Sequence, residues 1–239
     1  MEDGSLFYRG NVSHPEGPVT QPTIDKEELI NRFFEGSDVW SAVHKIDSEI
    51  FNATVSYFQK LGASWTNLPQ TTRMISSPGE IYAGQTIDYT TDTAPVVIKD
   101  WFDSGRSIFL SESSQFYLEM RLAHPKIEQV FSIYNSFRKE KEDATHLSEF
   151  QHIEYEGKVD FEGSVDVLTG LVRSITRHVI EECSNELSQF LTGEEILGLS
   201  DFCEHDIPKV RFSEAMKMLE EATGDSKYSN HTLLHFGAW

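Results

Sequence analysis

Basic residues are scarce in this chain of 239 residues: 20 lysines and arginines stand against 39 aspartates and glutamates, a formal net charge of −19. Such a field repels polyphosphate chains, so a broad nucleic-acid surface is not expected, although one or two local arginines can still hold a small phosphate ligand. Cysteine is scarcer still. Cys183 and Cys203 are the only two, which gives no disulfide framework and fits a reducing compartment. No run of 18 apolar residues occurs, so no membrane span is expected. The opening MEDGSLFYRG is acidic and without an apolar stretch, unlike a secretory signal, and a cytoplasmic protein is the expectation. There is no internal repeat, no Gly-x-x-x-x-Gly-Lys-Ser/Thr loop and no Gly-x-Ser-x-Gly elbow. Cys203, Glu204, His205 and Asp206 are metal-ligand types, but adjacent residues rarely converge on one ion, so no metal site is expected there.

What is present suits one large domain with a core of its own: 38% hydrophobic and 12% aromatic residues. Residues 1–36 are broken by Gly4, Gly10, Pro15, Gly17, Pro18 and Pro22 and read as an irregular N-terminal arm, with one short helix at DKEELINRFF. Residues 37–239 read as a single domain. Val39, Val43, Ile46, Ile50, Tyr57 and Leu61 recur at helical spacing, which predicts a long helix from about Asp38 to Leu61 with Gly62 at its C-cap. SWTNLPQTT reads as extended, APVVIKDWF and SIFL as strands, and SSQFYLEMRLAHP as a helix capped by Ser113 or Ser114. IEQVFSIYNSFRKE and EFQHIEYEG alternate apolar and polar positions, which predicts an antiparallel hairpin around a long loop. Leu168, Val172, Ile175, Val179 and Cys183 predict a second long helix over about 164–190. VRF reads as a strand entering a helix capped by Ser213, with Ala215, Met218, Leu219 and Ala222 on one face. This order predicts an α+β fold, an antiparallel sheet flanked by helices.

The stretch FRKEKEDATHLSEFQHIEYE, residues 137–156, resembles the second signature motif of class II aminoacyl-tRNA synthetases, in their aspartyl and asparaginyl branch. FLSESSQFYLEM resembles the same branch's Ser-x-Gln-x-x-Leu-Glu segment, the long helix with GASWTNLPQTT its first motif, and VRFSEAMKMLEEATGD the segment that follows the catalytic hairpin. The resemblance covers roughly residues 38–230. It departs from the family in two places: no anticodon-binding barrel precedes it, and the third motif, with its phosphate-holding arginine and preceding acidic metal ligands, is missing. The resemblance therefore implies a C-terminally truncated or split version of that core.

What the resemblance implies for single residues is specific. Arg138 would stabilise the charge that builds on the α-phosphate of ATP during amino-acid activation, a task suited to a planar guanidinium. Its alternative is a surface arginine paired with Glu140 or Glu154. Phe150 would stack on adenine, against the alternative of a core strand residue. Glu140 would sit near the adenine end or steady Arg138, and His146 would approach the phosphates, unless it is merely a solvated loop histidine. Gln115 would contact the substrate's α-amino group, with Glu112 and Ser113 beside it; the alternative is a polar cluster at a helix start. Leu118 stands where aspartyl enzymes carry lysine, which disfavours aspartate and favours asparagine or another side chain. Glu154 and Glu156 fall two apart on one strand face, where two carboxylates suit a substrate ammonium or Mg²⁺, or simply a solvated face.

ATP with Mg²⁺ and an asparagine- or aspartate-like amino acid are the implied ligands. A homodimer through the 38–61 helix and the strand after it, or a complementing partner chain, is the implied assembly; tRNA as a partner lacks support from the charge. Three functions stay open: AMP-forming activation of an amino acid, an asparagine-synthetase-like amide ligase using ammonia, and a non-catalytic paralogue that binds amino acid or nucleotide and regulates a partner.

Overall fold

The computed structural model describes residues 6–8, 11–13, 38–73, 81–82, 85–86, 96–99, 108–138 and 147–224. Glu140, His146 and the short helix expected at DKEELINRFF lie outside them. The chain divides into two compact units. The larger comprises Asp25–Glu142 and His146–His205; the smaller comprises Met1–Ile24, Asp143–Thr145 and Asp206–Trp239.

In the larger unit the Asp38–Leu61 helix forms where apolar spacing placed it. Its end is set by Gly62, whose φ of +85° is a left-handed conformation that costs glycine little. Ala63 N–H reaches back to the Phe58 carbonyl at 2.9 Å and Gly62 N–H to that of Gln59 at 3.1 Å, a Schellman arrangement that satisfies carbonyls the helix leaves over. The buried stripe runs through Ala42, Ala53, Thr54 and Phe58, while Val39, expected in the apolar face, is exposed.

After Gly62 the chain reverses into Ser64–Trp65, which pairs in parallel with the first hairpin strand, Gln129–Phe137; Glu149–Gly157 lines the other side of that strand antiparallel. The sheet is thus mixed rather than purely antiparallel. A second sheet places Ile108–Leu110 between Thr71–Thr72 and Val97–Ile98, all antiparallel, and Ile81–Tyr82 pairs with Gln85–Thr86.

The hairpin is sandwiched. Phe131 and Tyr155 on one face stack on Phe58 with ring centroids 4.6 and 5.6 Å apart, and Val167 and Leu171 complete that cluster. Val130 and Tyr134 on the other face pack on Leu68 and Leu118, Leu118 belonging to the Gln115–Leu122 helix. Burying each large apolar side chain contributes roughly 1.5–3 kcal/mol, so the two clusters clamp the hairpin from both sides.

The second long helix spans Phe161–Glu182 and stops earlier than its apolar period suggests. Cys183 leaves the helical region (φ −127°, ψ 29°), and a short helix follows at Ser184–Leu187. Val179, Cys183 and Leu187 still form one buried cluster across the break, so the spacing carries on although the helix does not. The Gly193–Glu204 helix is an element the apolar spacing missed; it opens with a capping box in which Thr192 and Glu195 bond reciprocally.

The smaller unit carries an antiparallel pair, Leu6–Tyr8 with Asn11–Ser13, in the segment expected to be irregular. It also carries the Phe212–Thr223 helix, ended by Gly224 at φ +69°. No strand forms at Val210–Phe212, and the N-cap is Arg211 rather than Ser213, with no side-chain capping bond. Met216 is the residue this helix buries; Met218, placed in its apolar face by spacing, is exposed.

Candidate active site

Register decides which side chains the hairpin presents together. Phe150 lies opposite Ser136, His152 opposite Tyr134, Glu154 opposite Ser132 and Glu156 opposite Val130. Directly opposed residues share a face in an antiparallel pair, so these eight side chains form the face that also receives the Gln115–Leu122 helix. The other face belongs to the Phe58 cluster.

At one end of this face Arg138 closes the ladder, its N–H donating to the Ser148 carbonyl at 2.9 Å. Its guanidinium carbon sits 5.3 Å from the centroid of the Phe150 ring, within reach of a cation–π attraction. The next residue on the strand face, His152, meets Phe150 edge-on at 5.0 Å and Tyr134 at 5.6 Å. Ser136 Oγ lies 2.8 Å from its Nδ1. Burial, and secondarily the Arg138 charge, push the imidazole pKa down, which favours the neutral ring.

Further along stands Glu154. Tyr134 donates its hydroxyl proton to Glu154 Oε2 and accepts the Ser114 N–H at 2.9 Å. Ser113 Oγ approaches Glu154 Oε1 at 3.4 Å. Burial raises the Glu154 pKa, the two hydroxyl donors work against that, and the Glu119 charge adds to the rise. Glu156 is raised as well, by burial and then by Glu119. Burial and the Glu154 bond push Tyr134 up to about 12, so it stays a phenol.

The serine-rich turn before the Gln115–Leu122 helix is fixed from both sides. Ser111 N–H bonds the Gln70 carbonyl and Phe137 N–H bonds the Ser111 carbonyl, each at 2.9 Å. Ser114 occupies the N-cap position, yet its hydroxyl is turned to the Pro69 carbonyl (3.1 Å) and Ser111 Oγ (2.9 Å) instead of capping. The Ser113 hydroxyl accepts the Gln115 N–H at 3.2 Å. Gln115 Nε2 donates to Glu119 Oε1 at 3.3 Å.

The structure thus brings Arg138 to Phe150 at one end of the strand face and Ser113 to Glu154 further along it, with the Gln115 N–H on Ser113 and the Gln115 side chain on Glu119. Glu112 is buried in the serine-rich turn. Leu118, expected beside the substrate side chain, is buried at 0% exposure and packs on Leu68, Val130 and Tyr134. Tyr134, Ser136 and His152 share this face and are not among the residues the resemblance singles out. Their signal was available, since each alternates in step with Phe150 and Glu154 once the hairpin register is drawn. Among the described residues no three of His, Cys, Asp and Glu stand together as a metal site, so no residue is assigned to Mg²⁺. Nor is any described helix long and apolar enough to cross a membrane.

A family profile, tRNA synthetases class II (D, K and N), matches residues 37–234. The chain belongs to this synthetase family. Relatives include the asparagine–tRNA ligases of Thermoplasma acidophilum, 29% identical over 216 residues, and of Alkaliphilus metalliredigens, 29% identical over 230 residues. These alignments take in 89% and 90% of this synthetase-family chain but 46% and 49% of the relatives, so the chain spans about half their length. Its fold is similar to that of asparaginyl-tRNA synthetase from Pyrococcus horikoshii complexed with asparaginyl-adenylate, at TM-score 0.66 and 23% identity, covering 90% of this chain and 47% of that one. The Entamoeba histolytica enzyme in complex with asparaginyl-adenylate is similar at TM-score 0.58 and 17% identity, over 87% of this chain and 40% of that one. The α+β class II fold is therefore established for this synthetase-family chain.

Proposed function

We propose that this chain carries the amino-acid-activating half of an asparaginyl-tRNA-synthetase-like ligase, which joins asparagine to ATP as an adenylate and releases pyrophosphate. The observation that carries the reading is the single strand face on which Arg138 lies over Phe150 while Glu154, Ser113 and Gln115 gather further along. An adenine ring needs a flat aromatic partner and the phosphoryl group a guanidinium; a substrate ammonium needs carboxylates. Residues two apart on a strand are separated by about 6.6–6.8 Å. The amino-acid end at Glu154 therefore lies roughly two such steps from the adenine end, with His152 between them where the amino-acid carboxylate would meet the α-phosphorus. Glu140 and His146 are proposed as further nucleotide contacts, and Glu112 as support for the Ser113 turn.

Transfer of the asparaginyl group to tRNA is the proposed second step, by likeness to the relatives named above. The net charge of −19 argues that any tRNA surface is local or shared with another chain. A homodimer through the Asp38–Leu61 helix is proposed on the exposure of Val39, Trp40 and Phe51 along it and of Trp65, 59% exposed, on the following strand. Two thiols and no disulfide suit a cytoplasmic setting.

The test is calorimetric titration of the purified chain with ATP and Mg²⁺, then with each amino acid, alongside pyrophosphate exchange. Binding of ATP and asparagine with asparagine-dependent exchange is the expected result. Amino-acid binding with no ATP binding would replace this reading with that of a regulatory paralogue.

A further inference from the structure

The Tyr134 ring and the Tyr134 hydroxyl do separate things. The ring packs on Leu68, Leu118 and Val130, and a phenylalanine would fill that space equally well. The hydroxyl makes a relay. It takes the N–H of Ser114, the residue at the start of the Gln115–Leu122 helix, and gives its one proton to Glu154 on the neighbouring strand. Two parts of the site that come from distant places in the sequence are therefore fastened to one oxygen atom.

We infer that Tyr134 is a positioning residue, whose hydroxyl holds the Glu154 carboxylate and the Ser113–Gln115 turn in one geometry for the ammonium group of the amino-acid substrate. This rests on the adenylation reading above. The groups that face Glu154 are Tyr134 from the adjacent strand, Ser113 from the turn, Glu119 from the helix and Glu156 from its own strand. Burial first, and then the Glu119 charge, push the carboxylate toward its protonated form; the two hydroxyls oppose them. Ser113, at 3.4 Å, is the longer contact, so Tyr134 is the principal donor that favours the ionised carboxylate. A hydrogen bond to the charged form favours it. Removing the Tyr134 hydroxyl raises the Glu154 pKa further, and a protonated Glu154 cannot hold an ammonium ion. The acid limit of asparagine binding then moves to higher pH.

The experiment compares wild type, Tyr134→Phe and Glu154→Gln over a pH series, measuring affinity for asparagine and for ATP by calorimetry. Carboxyl NMR follows Glu154 in the first two proteins, and thermal melts confirm that the variants fold. The expected result for Tyr134→Phe is ATP affinity as in wild type, asparagine affinity about tenfold weaker near neutral pH, the loss of one hydrogen bond to a charged group, and a Glu154 midpoint and binding limit both displaced upward. Glu154→Gln should bind asparagine weakly with no acid limit at all. A Tyr134→Phe profile that overlays the wild type, or a Glu154 midpoint that does not move, overturns the role of the tyrosine and leaves the adenylation reading standing. A wild-type protein that binds no asparagine at any pH overturns the adenylation reading itself, and the tyrosine's role falls with it.

Discussion

The guanidinium of Arg138 lies over the ring of Phe150, 5.3 Å from its centroid, at the loop end of the hairpin. The two residues are twelve apart in sequence, and the pairing of Phe137 with Glu149 brings them together. Arg138→Ala removes the charge that would meet the α-phosphate while leaving the ladder in place, because the Arg138–Ser148 bond is a backbone one. Pyrophosphate exchange should fall about 10²- to 10³-fold, as when one preorganised donor is lost elsewhere, with the melting temperature nearly unchanged. Exchange at the wild-type rate would remove Arg138 from the site.

Leu118 makes a contrasting case. Fully buried beneath the hairpin, it should act on stability and leave selectivity alone. Leu118→Ala is expected to cost about 2–5 kcal/mol in denaturant unfolding, with the ranking of asparagine over aspartate preserved. A changed ranking at unchanged stability would restore Leu118 to the substrate pocket.

The two long helices approach closely at Gly170. A methyl group there would run into the Tyr57 hydroxyl, which donates to the Val167 carbonyl at 2.9 Å. Gly170→Ala gains helix propensity of roughly 0.5–1 kcal/mol but overpacks a filled crossing, which typically costs about 1–3 kcal/mol. A net loss of stability is expected on chemical unfolding, and Tyr57→Phe in the same background should recover part of it by vacating the contested space.

Glu49 ties the same two helices by charge. It accepts from His178 at 2.9 Å, with Lys45 and Asn52 on the same carboxylate. The Lys45 bond first, then that of His178, hold its pKa at about 2, below the ordinary carboxylate range. Because the folded value is the lower one, the contribution is complete above the unfolded carboxylate pKa, roughly 4.3, and drains away as pH falls toward 2. Glu49→Gln should melt below wild type at pH 7, and the gap should close through that acidic window. A gap independent of pH would mean that packing, and not the charge, is what the substitution disturbs.

Long-period features were legible in the sequence. The Asp38–Leu61 helix and the hairpin follow from apolar spacing over more than two turns or four alternations, and one buried face enforces each. Features that depend on a partner far along the chain were not. The Ser114 hydroxyl donates to the Pro69 carbonyl and lies against Ser111 Oγ, which turns its oxygen away from the helix N–H groups it would cap. The second helix breaks at Cys183 although Val179, Cys183 and Leu187 keep their spacing, because periodicity records burial and not backbone continuity. The Gly193–Glu204 helix did announce itself through Thr192 and Glu195, a signal in the caps rather than in the apolar pattern. In the site, the resemblance supplied Arg138, Phe150, Gln115 and Glu154. Tyr134 and His152 emerge only from cross-strand register.

The strand Glu149–Gly157 alternates between a side that faces the Gln115–Leu122 helix and a side packed on Phe58. Deleting one residue within it would invert every later position, sending Glu154 and Glu156 against the aromatic cluster and Tyr155 out of it. Variation on the side away from Phe58 can therefore proceed one residue at a time, but the reading frame of the strand is locked by the cluster behind it. Length can change only between Arg138 and Leu147, outside the alternating frame. Descendants of this hairpin would inherit its spacing intact even while exchanging the side chains on the face opposite Phe58.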